Sequence, residues 1–193
     1  MFYSRFSALN LTFILAAMVG CVSLEPNSYG GTKALSKQAV RLELECQRQT
    51  APNLCGLAVL AMLTSYYQQS IRVSELEGLH EEANTTDGIS GASLKIVLEE
   101  AGYFVTVFPG KLDHEVSGLY HHLDLKRPLI IMTGSGTRHY SVAVGYDETK
   151  SLVLLLDPAL GAITVSNVEF MREWEKANYF TLLAMPDLKK KNG

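Results

Sequence analysis

The chain predicts an α+β domain with N-terminal helices packed on a mostly antiparallel C-terminal sheet. Three observations carry that expectation. An apolar stretch of helical length, Leu57 to Tyr67, comes early. The second half instead holds short apolar runs, 129–133, 139–146 and 152–156, separated by glycine, proline and aspartate turns. Finally, 193 residues with 47% hydrophobic and 19% charged content suit one globular domain rather than a disordered chain.

Residues 1–20 read as a lipoprotein signal peptide. Arg5 supplies a positive start, and Ala8 to Val19 is an apolar run of 12 residues, too short to span a bilayer. Met18-Val19-Gly20-Cys21 resembles a bacterial lipobox, which marks Cys21 for lipidation. Val22 follows, where aspartate would signal inner-membrane retention, so the expected location is the outer membrane facing the periplasm. Residues 21–38 form the lipidated cysteine and a flexible tether, rich in Pro26, Asn27, Ser28, Gly30 and Gly31. The domain proper is expected over 39–187, with a basic tail at 188–193.

Within the domain, Val40, Leu42, Leu44 and Cys46 alternate with Arg41, Glu43 and Glu45, which predicts a half-buried strand over 40–46. The loop 47–54 leads to a buried helix over about 55–68, with Asn53 as its expected N-cap. Ser74-Glu-Leu-Glu77 has the capping-box pattern and predicts a short helix to about Ala83, with a loop at 84–88. A helix over about 91–101 stops at Gly102, a strand covers 103–108, and Asp113 is placed to cap a helix through about Leu123. Strands then follow at 129–133, 139–146, 152–156 and 162–165. Ser166 caps a helix bearing Phe170 and Trp174, and 179–185 is the last strand.

Cys55 falls in the first turn of the long helix, where oriented amides and the helix dipole favour a thiolate. Gly56 beside it leaves room for substrate. His139 opens a strand next to a glycine-rich turn and can present its ring to a cleft. Asp157 closes the following strand before Pro158; it is either a turn former or the acceptor that orients His139. Gln49, or alternatively Gln47, can donate an amide proton to a developing oxyanion. His80, His114, His121 and His122 lie on polar or amphipathic stretches and read as solvated. His114 and His121 could share a face, but no third metal ligand is apparent. Cys46 and Cys55 could pair in an oxidising compartment; the alternation around Cys46 favours a small core residue instead.

The motifs Gln49…Asn53-Leu-Cys55-Gly56, His139-Tyr-Ser-Val-Ala-Val-Gly145-Tyr146 and Asp157-Pro158…Gly161 together resemble family thirty-nine of the cysteine peptidases. These are the bacteriocin-processing, double-glycine-leader peptidases and their stand-alone relatives. Asp87-Gly-Ile-Ser-Gly91…Leu94 resembles a further segment of that family, and the similarity covers about 40–185. The resemblance implies a papain-like fold with Cys55 as nucleophile, His139 as base, Asp157 as orienter and Gln49 in the oxyanion hole. Leu54 departs from the aspartate that many transporter-linked members have before the cysteine. No phosphate-binding Gly-x4-Gly-Lys-Ser/Thr motif is present, so no ATPase is expected in this chain.

Formal net charge is −3, and removing residues 1–20 takes away only Arg5, leaving −4. With no basic stripe, nucleic acid is not an expected partner. The expected function is a lipid-anchored cell-envelope cysteine peptidase acting on a peptide or protein through Cys55, His139 and Asp157, with no metal or organic cofactor. Two alternatives stand beside it: a catalytically silent peptide-binding module, and another papain-like hydrolase acting on the cell wall.

Overall fold

The computed structural model describes residues 34–86, 88–134 and 139–187. The expected signal peptide, Cys21, most of the expected tether and the basic tail at 188–193 lie outside the described residues. So do Asp87 and the turn residues 135–138.

The described elements run β1 (Val40–Arg41), α1 (Cys55–Tyr67), α2 (Val73–Thr86), α3 (Gly91–Glu100), β2 (Tyr103–Pro109), α4 (Leu119–Asp124), β3 (Leu129–Thr133), β4 (His139–Asp147), β5 (Leu152–Asp157), β6 (Gly161–Ser166), α5 (Asn167–Glu175) and β7 (Phe180–Pro186). All seven strands join one sheet of order β2-β7-β3-β4-β5-β6, and β1 pairs with β4. Every strand pairing is antiparallel. Three helices precede most of the sheet, as the sequence predicts, while α4 and α5 are interleaved with its strands.

β4 is the spine. It bonds β5 along one edge, and along the other it bonds β3 at 139–143 and β1 at 145–146. Residues 140–147 of β4 and all of β5 are buried, so these strands read as continuous apolar runs rather than alternating ones. α1 packs on β4 and α3 on β2, whereas α4 lies against β1, β3 and β4. α5 leans on β3, β5 and β6 with Phe170 and Trp174 fully buried.

Several boundaries differ from expectation. The first strand shrinks to two ladder residues, yet its alternation survives: Leu42 and Leu44 are buried while Glu43 and Glu45 are exposed. The Leu42 amide still bonds the Val144 carbonyl at 2.7 Å, and beyond it the segment leaves the sheet. α2 starts at Val73, ahead of the expected cap Ser74, and continues three residues past Ala83. The reason is tertiary: Asn53 donates to the Ala83 carbonyl at 2.9 Å, which satisfies a helix-end acceptor. That bond also diverts Asn53 from α1, whose N-cap is Leu54 with no side-chain cap bond. α4 starts at Leu119, not near Asp113. The Asp113 side chain instead accepts from the Glu115 amide in a turn. Ser166 caps α5 as expected, accepting from the Glu169 amide at 3.2 Å. Gly102, at φ +86, lets the chain turn left-handed after α3.

Candidate active site

Three distant stretches of chain meet at one end of the sheet. Cys55 is the first residue of α1, His139 the first of β4 and Asp157 the last of β5. Because β4 and β5 are antiparallel neighbours, with Val142 opposite Leu156, the start of one lies beside the end of the other. α1 packs on β4, which brings the helix start to the imidazole.

His139 Nε2 lies 3.0 Å from both carboxylate oxygens of Asp157. The ring also faces the Cys55 sulfur, near enough that each group shifts the other's proton affinity. With Nε2 committed to Asp157, Nδ1 is the nitrogen left for the sulfur. Asp157 is buried and its oxygens are crowded with donors. Oδ1 accepts from the amides of Ala159 at 2.8 Å and Leu160 at 2.9 Å, and Oδ2 accepts from the Ser141 hydroxyl at 3.1 Å.

The electrostatics favour separated charges. Burial pushes the Cys55 thiol up. The His139 hydrogen bond, the Tyr140 amide, the imidazolium charge and the Gly56 amide outweigh it, so the thiol sits below its ordinary value. The Asp157 hydrogen bond, then the Cys55 hydrogen bond, raise His139 to about 9 against the opposing effect of burial. Burial also works against the ionised Asp157, but the His139 bond and charge and the two turn amides hold it below the usual carboxylate range. Both shifts run in the direction of a thiolate–imidazolium pair.

Cys55 is 4% exposed, while the His139 side chain is 27% exposed, so the imidazole side is the open one. Gly56 also serves packing. A Cβ there would come within 3.0 Å of Ile89, so the glycine lets the loop before α3 pack on the start of α1.

Gln49 sits in a segment strapped to the Asp157 turn. Its amide bonds the Pro158 carbonyl at 3.1 Å, Arg48 donates to the Ala159 carbonyl, and the Cys46 thiol approaches the Asp157 carbonyl at 3.8 Å. The Gln49 side chain donates to the Ala51 carbonyl at 2.9 Å, and its buried Oε1 has no partner. Cys46 and Cys55 are both free thiols. Burial pushes the Cys46 thiol up, the opposite of Cys55. Sequence reasoning overlooked Ser141, because a serine within an apolar strand carries no signal of its bonding partner.

The remaining histidines divide. His80 is exposed. His114 is half-exposed and its two ring nitrogens face Asp124 at 3.0 Å and Glu148 at 3.4 Å. His122 is buried against Phe108, contrary to the solvated reading, because the short α4 turns it toward β2. No helix among the described residues is long and apolar enough to cross a membrane.

Comparison with known proteins agrees with this architecture. The model of a family described as the peptidase C39 family matches residues 43–186. A Lactococcus lactis subsp. lactis protein, the lactococcin-G-processing and transport ATP-binding protein LagD, is 28% identical over 120 residues. That alignment covers 62% of this chain but only 16% of the relative's length. The peptidase domain of Streptococcus ComA, a bifunctional ABC transporter of a quorum-sensing pathway, superposes with a TM-score of 0.60 at 19% identity. It covers 75% of this chain and 99% of that one. A double glycine motif protease from an AMS/PCAT transporter, solved with its leader peptide, also superposes at 0.60, with 20% identity over 76% and 94% of the two chains.

Proposed function

The chain belongs to the peptidase C39 family and is a cysteine peptidase, and from that premise we propose that Cys55 is its nucleophile, His139 its acid and base, and Asp157 the group that orients the ring. The observation that carries this reading is the position of His139, facing the Cys55 sulfur on one side and bonded to the Asp157 carboxylate on the other.

In the proposed reaction the Cys55 thiolate attacks the carbonyl carbon of a peptide bond from the open, imidazole side. As the C–S bond forms, the carbonyl electron pair moves to oxygen. The first amides of α1 have no intrahelical acceptor, so the Cys55 N–H can bond that oxyanion. Gln49 is the proposed second donor, with the N–H that Ala51 does not take. Protonated His139 then gives its proton to the departing amine, and a thioester remains on Cys55. Neutral His139 next takes a proton from water, whose oxygen attacks the thioester and releases the acid and the thiolate. The chemistry requires no cofactor.

The proposed substrate is a peptide or protein, consistent with the leader peptide bound by the AMS/PCAT relative. The proposed location is the cell envelope, with the domain held by lipid on Cys21 at the periplasmic face of the outer membrane. The lipobox-like Met18–Cys21 and the tether after it support this. Envelope proteomes of cells carrying the native chain or Cys55→Ala test both parts. A cleavage product present only with the native chain supports the peptidase reading, and identical proteomes contradict it. Incorporation of labelled fatty acid that Cys21→Ala abolishes supports the anchor; incorporation unaffected by that change refutes it.

A further inference from the structure

We propose that Ser141 is a positioning residue for this reaction, fixing the Asp157 carboxylate and through it the His139 ring in line with the Cys55 sulfur. The inference rests on the roles assigned above to Cys55, His139 and Asp157, and adds a residue to them.

Ser141 stands two residues after His139 on β4, so both side chains leave the same face of the strand. Its hydroxyl lies 3.1 Å from Asp157 Oδ2, the oxygen that is also 3.0 Å from His139 Nε2. The other oxygen, Oδ1, is tied to the turn by the amides of Ala159 and Leu160. Those two bonds hold the carboxylate from the turn side, and Oδ2 is held from the strand side by Ser141 and His139. Among the described residues, Ser141 and His139 are the side chains that donate to this carboxylate. Ser141 thus supplies the strand-side bond that completes the hold on the carboxylate, and Oδ2 is the oxygen the His139 Nε2–H bonds.

The surroundings make that bond hard to replace. Ser141 is 1% exposed and is followed by the fully buried Val142, Ala143 and Val144. A hydroxyl in such a strand is costly unless it has an acceptor, and bulk water cannot take its place. In Ser141→Ala, Oδ2 keeps one donor instead of two. The carboxylate becomes a less well-solvated anion and a less well-aligned partner for the imidazolium. The thiolate–imidazolium pair then loses population to the neutral thiol and ring. Charge-assisted hydrogen bonds are roughly twice as strong as neutral ones, so the expected effect is about a tenfold loss in kcat with KM unchanged.

The test follows the proton rather than activity alone. The native chain, Ser141→Ala and Ser141→Thr are compared by ultraviolet thiolate absorbance at neutral pH, with Cys55→Ser as the blank. Nuclear magnetic resonance of histidine-labelled protein follows the pH midpoint of the His139 ring, and thermal melting reports folding. The proposal predicts less thiolate in Ser141→Ala and a His139 midpoint lower by about one pH unit, with Ser141→Thr close to native. A Ser141→Ala protein with a lower melting temperature but native thiolate content and midpoint would assign Ser141 a purely structural role and overturn the inference. Absence of thiolate absorbance in the native chain would instead overturn the underlying roles of Cys55 and His139.

Discussion

Replacing Asp157 with asparagine keeps the shape of the side chain and removes its charge, which isolates the electrostatic part of the site. The native carboxylate has donors on both oxygens: two turn amides on Oδ1, and His139 with Ser141 on Oδ2. Asparagine has one acceptor oxygen. If it serves the turn, its NH2 faces the Nε2–H of His139 and repels the protonated ring. If it serves His139 and Ser141, the Ala159 and Leu160 amides are orphaned. The magnitude follows from the imidazole, held at about 9 against an ordinary 6.5. That gap favours the protonated ring by roughly 3 kcal/mol, and the Asp157 hydrogen bond is its largest cause. Taking Asp157's share as about 2 kcal/mol predicts a ~30-fold fall in the ion-pair population at neutral pH. The orphaned donors add a stability loss of about 1–3 kcal/mol. The assay is the rate of Cys55 alkylation by iodoacetamide across pH, with adducts mapped by mass spectrometry so that Cys46 is counted separately. The native rate should already be high at neutral pH, whereas Asp157→Asn should react fast only once the thiol ionises unaided. A native pH profile in folded Asp157→Asn would refute the reasoning.

Three further outcomes follow from the same site and its supporting fold. Peptide cleavage should need ionised Cys55 and protonated His139, so the rate should fall above about pH 9 as the ring loses its proton, and fall in acid as the thiolate is protonated. The sign carries over to stability. Because the folded value of His139 is raised, its contribution is full below about pH 6.5 and is lost as pH rises through about 9, which denaturant titrations at several pH values can read. Trp174 is fully buried in α5 and its indole N–H donates to the Phe180 carbonyl at 3.0 Å. Trp174→Ala should therefore cost about 3–5 kcal/mol in a denaturant melt.

Much of the site was legible in the sequence because its parts stand at element ends. A strand that begins at His139, a strand that ends at Asp157 and a helix that begins at Cys55 are set by local patterns: apolar runs and the turns that bound them. Antiparallel pairing of β4 and β5 then converts sequence separation into contact. What stayed hidden depends on tertiary partners. Asn53 looks like a helix cap by position, but the nearby end of α2 offers an acceptor and wins it. Ser74 has the capping-box pattern, yet the helix begins one residue before it. His122 has polar neighbours in sequence, and only the placement of α4 buries it. Gly56 has no side chain because Ile89 occupies the space, a contact between residues 33 positions apart that no local rule reveals. The alternation through Leu42 and Leu44 reports burial correctly even where the ladder has ended, since period two records which face is covered and not whether a partner strand is bonded.

The measurement that bears most directly on the central claim is peptide-bond cleavage by the purified domain. The native chain, Cys55→Ala and His139→Ala are each incubated with a mixed peptide library, and new termini are identified by mass spectrometry. The account predicts new termini with the native chain and none with either variant. Cleavage that persists in Cys55→Ala would contradict it.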